Sequence, residues 1–189
     1  MNEFIYPKKS ICSVIGDRVF QPGNRSDGQD LNIYEGSHID DYLENTWYKG
    51  LSAKMQSAIQ TTDIKQASYA NYRDPDSKQE TGYNGEVYNT ISRHVFLPSV
   101  SEIGKAVDLK NPDKVKAFIK NISNNNSVFD DSIWTRDICL GYIGDVEYLD
   151  DYFGQLGRHP AYKSFGTRPA FVIDLSKVDY TEGEHVDYK

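Results

Sequence analysis

Arg168-Pro169-Ala170-Phe171-Val172-Ile173-Asp174-Leu175 decides how the chain folds. Its centre is an unbroken apolar run rich in β-branched and aromatic residues, which predicts a strand that closes the core. Three further strands are expected upstream: Ile133-Trp134-Thr135-Arg136, Ile138 to Ile143, and Val146 to Leu149, the last two joined by a turn at Gly144-Asp145. At the opposite end, Ile11-Cys12-Ser13-Val14-Ile15 and Arg18-Val19-Phe20 read as short strands, stopped by Gly16-Asp17 and Pro22-Gly23-Asn24, with a polar loop over 24–30. The sheet is therefore expected to draw on both ends of the chain.

Helices fill the middle. Ser37 can cap a first one, with Asp40 and Asp41 in its positive first turn. Ile39, Tyr42, Leu43, Thr46 and Trp47 form its apolar stripe, and Gly50 stops it. Ser52 opens a second, whose face is Met55, Ala58 and Ile59. Residues 61–92 are polar and read as a long irregular excursion. His94-Val95-Phe96-Leu97-Pro98 is expected to be a strand. Ser99 and Glu102 then have capping-box spacing for a helix from Val100. Asn111-Pro112-Asp113 starts a fourth, burying Val115, Phe118, Ile119 and Ile122 before the polar break 123–127. The class is α+β: one domain over 1–178, followed by a loose acidic tail over 179–189.

Composition narrows the function. The 189 residues carry 28 acids against 21 Lys and Arg, a net charge of −7. That balance argues against a nucleic-acid partner, which needs a basic face. Apolar residues make up 38 % and mean hydropathy is −0.64, but Tyr 14, Phe 8 and Trp 2 supply large areas for a core. No run is long enough to insert in a membrane, and Met1 to Ser13 has no apolar stretch after Lys8-Lys9, so no cleavable secretion signal is expected. The two cysteines, Cys12 and Cys139, show neither metal-ligand nor redox-pair spacing and read as small buried thiols.

Four segments, in order, resemble a known family. Ser37-His38-Ile39-Asp40-Asp41-Tyr42-Leu43 with Trp47-Tyr48 is similar to its pattern S-x-[IL]-R-x-[WY]-L-N…F-Y, and Leu51 to Thr62 to [LF]-S-x-x-E-x-x-x-I-x-x-T. Val95 to Glu102 is similar to [IV]-F-L-L-S-x-x-E, and Trp134-Thr135-Arg136-Asp137 with Gly166-Thr167-Arg168-Pro169-Ala170-Phe171 to W-x-R-S … G-V-R-P-A-L. This is a bacterial and phage domain family of unknown function. Its closing motif resembles the end of the C-type-lectin-like fold shared by formylglycine-generating enzymes and phage variable tail proteins. Asp40 stands where the family has arginine, and Asp137 where it has serine or threonine. The resemblance covers residues 33–176 and implies helices packed on a small, twisted antiparallel sheet.

Candidate site residues follow. Arg136 and Arg168, beside Trp134 and Phe171, are read as structural: buried guanidiniums that tie loop carbonyls and a carboxylate together. The resemblance implies that the stretch before the closing strand supplies a binding surface. There Tyr142, Tyr148, Tyr152, Phe153 and Tyr162 would stack on a ligand, with Arg158 and His159 as polar anchors. Asp150-Asp151, with Asp145 and Glu147, and separately Asp130-Asp131, lack the calcium-loop pattern, so no metal is expected. His38, His94, His159 and His185 sit in no catalytic motif, and Cys139 has no activator nearby in sequence, so neither an enzyme nor a cofactor is expected.

The expectation is a non-enzymatic binding domain that recognises a glycan or a surface protein. It would act in a phage virion (tail fibre, baseplate or head decoration) or at a bacterial surface, assembled in the cytoplasm and packed against other virion or surface subunits as a homo-oligomer. A purely structural particle subunit is the second reading. A formylglycine-generating-like oxidase using Cys139 is the third.

Overall fold

The computed structural model describes residues 4–5, 34–67, 72–73, 80–81, 88–122, 132–139, 145–160 and 165–178. The expected strands at 11–15 and 18–20, the breaks at 24–30 and 123–127, Cys12, Asp130-Asp131, Tyr142, Tyr162, His185 and the tail 179–189 lie outside these residues.

After β1 (Phe4–Ile5), α1 (His38–Tyr42) begins where the Ser37 hydroxyl accepts from the amide of Asp40 at 3.2 Å. The helical path continues through a π-turn (Leu43–Trp47) and a 3-10 turn (Tyr48–Gly50), burying Ile39 and Leu43 but leaving Thr46 exposed. Asp40 fixes this element to the sheet. Its buried carboxylate accepts from Arg93 Nε and Nη2, both at 2.8 Å, and from the Gly36 amide at 2.9 Å. Ser52 caps α2 (Ala53–Ala58), and the chain then turns extended into β2 (Ile59–Gln60).

The excursion expected over 61–92 is in part a regular hairpin. β3 (Thr62–Ala67) pairs with β6 (Tyr88–Arg93) over six positions, from Thr62 opposite Arg93 to Ala67 opposite Tyr88. Between them β4 (Tyr72–Arg73) pairs with β5 (Glu80–Thr81). The hairpin escapes a hydrophobicity reading because Gln66 takes an inward position that an apolar residue would normally fill. Its amide oxygen accepts from the Glu35 amide at 2.8 Å, and its nitrogen donates to Asn89 Oδ1 at 2.6 Å and to Glu35 Oε2 at 3.2 Å, so burial leaves no polar atom wanting.

The stretch 94–98 is not a ladder strand, which is a second departure from expectation. Val95, Phe96 and Leu97 are buried, but only Phe96 pairs, exchanging both backbone hydrogen bonds with Ala170 at 3.0 and 2.8 Å. Ser99 and Glu102 form the expected capping box for α3 (Val100–Ala106), and α4 (Pro112–Ile122) buries Val115, Ile119 and Ile122. β7 (Ile133–Ile138), β8 (Asp145–Asp150) and β9 (Gln155–Pro160) make an antiparallel sheet in that order. Ile138 ends β7, residues 140–143 of the strand expected from it lie outside the described residues, and β9 occupies a segment where no strand was expected. β10 is short (Phe171–Ile173), and Leu175 belongs to a 3-10 turn capped by Asp174.

The result is α+β. Val172 of β10 pairs with Phe4 on one side and Gln60 on the other, so one small antiparallel sheet does join the two ends of the chain. Alternation along β7 divides the interior. Trp134 enters a cluster with Ile39, Leu43, Phe96 and Phe171, whereas Ile133, paired with Leu149, faces Ile103, Val115 and Ile119 of the helices.

Candidate binding site at the β8–β9 turn

The two arginines of the closing motifs are buried. Arg136 donates through Nε to the Lys65 carbonyl (2.9 Å), through Nη1 to the Leu97 carbonyl (2.7 Å) and to Glu102 Oε2 (2.6 Å), and through Nη2 to Glu102 Oε1 (2.5 Å). Its guanidinium lies 5.5 Å from the centroid of Phe96. Four donor bonds and a bidentate carboxylate are what a buried guanidinium needs. Arg168 donates to the carbonyls of Ile122 (3.1 Å) and Thr167 (3.3 Å), linking the end of α4 to the segment before β10.

The β8–β9 turn is held by its own acids. Asp150 Oδ1 accepts from the Phe153 amide at 2.7 Å, and its Oδ2 accepts from the Tyr148 hydroxyl at 2.9 Å. Ser132 Oγ donates to Asp151 Oδ1 at 2.8 Å and accepts from the Asp151 amide at 3.2 Å. Gly154 closes the turn at φ +69°, and a Cβ there would meet the Pro112 carbonyl oxygen of α4 at 2.3 Å. Only glycine combines that dihedral with that approach. The turn is thus bonded to Ser132, just before β7, and packed closely on α4.

At its tip the structure sets Tyr152 and Phe153, 77 % and 58 % exposed, with ring centroids 4.8 Å apart and planes at 88°. Leu156, 37 % exposed, lies just beyond, and these three are the exposed large hydrophobic residues among those described. Sequence reasoning did not single out Leu156, because β9 is mostly exposed and carries no apolar alternation to mark it.

The other sequence-predicted residues that the structure describes are not gathered there. Tyr148 is half-buried, stacked on Phe165 (4.5 Å, 22°) and edge-on to Trp134 (6.1 Å). It lies over Gly157, its register partner, where a Cβ would come within 2.6 Å of the ring. His159 packs against Phe165 (5.4 Å) and Tyr148 (6.2 Å). Arg158 ion-pairs with Asp145 at 2.9 Å. Tyr142 and Tyr162 lie outside the described residues.

Around the irregular pairing of β7 with β8, titratable groups are displaced from their ordinary behaviour. Burial, and then the neighbouring Asp137, push the Glu147 carboxyl up to about 7. Burial raises Asp137 as well, although it accepts from the Val100 amide at the start of α3. Burial, followed by the charge of Glu147, also raises the Cys139 thiol, the direction opposite to that which activates a nucleophile. Among the described residues no three His, Cys, Asp or Glu side chains are placed to hold a metal ion. No described helix is long and apolar enough to cross a membrane.

No curated protein and no solved structure matches this chain. A family model does, over residues 12–175, which takes in every segment from the first helix through β10. The chain belongs to the family described as a domain of unknown function, DUF6273.

Proposed function

We propose that this chain is a binding domain on a C-type-lectin-like scaffold, recognising a glycan or a protein at a phage or bacterial surface through the Tyr152–Phe153 tip. The observation that supports this reading is the pairing of high exposure with rigid support. Two adjacent aromatic rings face solvent on a turn whose every anchor is internal. Isolated exposed apolar residues are ordinary, but an exposed pair on a fixed turn resembles a contact surface. A closing strand that joins both chain ends, with the contact surface just before it, fits the lectin-like arrangement.

The test is retention of the purified chain on a glycan array and on intact bacterial surfaces. Tyr152→Ala with Phe153→Ala should reduce retention at least tenfold, while the thermal midpoint stays close to that of the parent because neither ring is part of the core. Retention unaffected by the double change would refute the tip. No retention on either, together with stable assembly with other particle proteins, would favour a purely structural subunit.

A further inference from the structure

We propose that Thr61, His94 and Glu44 form a hydroxyl–imidazole–carboxylate relay that makes Thr61 an acyl acceptor for small esters. The three come from separate places: Glu44 from the π-turn after α1, Thr61 from the link between β2 and β3, and His94 from the residue just after β6. Glu44 Oε1 lies 2.5 Å from His94 Nδ1. Its other oxygen accepts from the amides of His94 (3.0 Å) and Val95 (3.3 Å), so the carboxylate cannot swing away. The imidazole stacks on Tyr48, centroids 4.3 Å apart and planes 9° from parallel.

The chemistry of the partners fixes the direction of the relay. An ionised carboxylate only accepts, so Nδ1 carries the ring hydrogen when the imidazole is neutral. The lone pair then sits on Nε2, 3.1 Å from Thr61 Oγ1, and the hydroxyl donates into it. Nucleophile to base, and base to an orienting third group, are both within hydrogen-bond reach, the arrangement that raises the reactivity of a hydroxyl. A pin serving only the fold would be complete with the three contacts of Glu44. The Thr61 contact adds an exposed oxygen at the surface end of a ring that is itself 32 % exposed.

Thr61 Oγ1 attacks the ester carbonyl carbon as its proton passes to Nε2. The carbon–oxygen bond to the alkoxy group breaks, and that group leaves as the alcohol with the proton from Nε2. Water then attacks the acyl-threonine, gives a proton to Nε2, and releases the carboxylic acid as Thr61 regains its proton. Ester plus water thus becomes acid plus alcohol. Thr61 and His94 are the catalytic residues, and Glu44 is a positioning residue. The relay shares no residue with the Tyr152–Phe153 tip, so either proposal can fail without the other.

The test treats the full chain with a fluorophosphonate probe, which phosphonylates an activated hydroxyl with loss of fluoride, and locates the label by peptide mass spectrometry. We expect one label, on the peptide holding Thr61, absent in Thr61→Val and at least tenfold slower in His94→Ala. Glu44→Gln presents an amide that can donate to Nδ1 and move the ring hydrogen to Nε2, so its labelling should be at least tenfold slower while the thermal midpoint stays close to that of the parent. No labelling of the parent above its urea-unfolded control, or equal labelling of the exposed-site variant Thr61→Val, overturns the proposal. That variant decides the matter even if His94→Ala does not fold.

Discussion

Glu147→Gln should make the protein more stable at alkaline pH and leave it unchanged in acid. Glu147 is half-buried on β8, and its carboxyl is pushed from 4.5 to about 7 by burial and by Asp137. A carboxyl whose folded value lies above its unfolded value binds a proton more tightly when folded. Its favourable contribution is therefore full below pH 4.5 and is lost as pH rises through about 7, where an ionised side chain has to be held beside Asp137. At about 1.36 kcal/mol per pH unit, that displacement would be worth about 3.4 kcal/mol for a group fully removed from water. Part of the side chain is hydrated and screened, which brings the figure to about 1–2 kcal/mol. Glutamine keeps the shape and removes the ionisation. Urea unfolding at pH of about 4 and about 8 measures both ends of the window, and the variant should gain about 1–2 kcal/mol only at the upper one. Some slope should survive in the variant, because burial raises Asp137 too. A variant that is less stable at the upper pH, or whose gap from the parent is the same at both, refutes the reasoning.

Two further changes probe what holds the site in place. Glu102→Ala leaves the Arg136 guanidinium, 3 % exposed, without its carboxylate and also removes the reciprocal cap on Ser99, so chemical denaturation should show a loss of about 3–5 kcal/mol. Gly154→Ala forces a side chain into the left-handed region and against the Pro112 carbonyl; the dihedral alone costs about 1–2 kcal/mol, and the displaced turn should expose Phe153 to faster hydrogen exchange at its amide.

Features set by local rules were legible in the sequence. Ser37, Ser52 and Ser99 each cap the helix that their spacing foretold, because a cap depends only on a hydroxyl and an amide three residues on. The stripe Val115, Ile119, Ile122 and the core strand at Phe171–Ile173 were visible for the same reason: the period of burial is written in the residue types. What was missed depends on partners remote in sequence. Among their described side chains, β3 and β6 present one buried apolar residue each, Ile64 and Ile91, and a buried Gln66 whose partners Glu35 and Asn89 are remote in sequence. β9 is mostly exposed, so it carries no hydrophobic alternation to read. Asp40 could be seen as the reverse of an expected arginine, but its pairing with Arg93 spans 53 residues. The aromatic stretch before the closing strand was recognisable as a group. Which rings turn inward was not, because Tyr148 packs where it does only through Gly157 on the neighbouring strand.

The size of the tip also constrains how it could be used. Removing an aromatic side chain of this kind from water is worth about 1.5–3 kcal/mol, and immobilising each one costs about 0.5–1.5 kcal/mol. The turn itself is already ordered by Asp150, Asp151 and Gly154, so no further backbone entropy is lost on contact. Two rings then leave a net gain of about 0–5 kcal/mol before the further loss of translational and rotational freedom on association, so a single contact falls at or below the ~4 kcal/mol that corresponds to a millimolar dissociation constant. One tip grips weakly. A recognition role through Tyr152 and Phe153 therefore calls for several copies presented together, where each later contact is made at the high effective concentration set by the first.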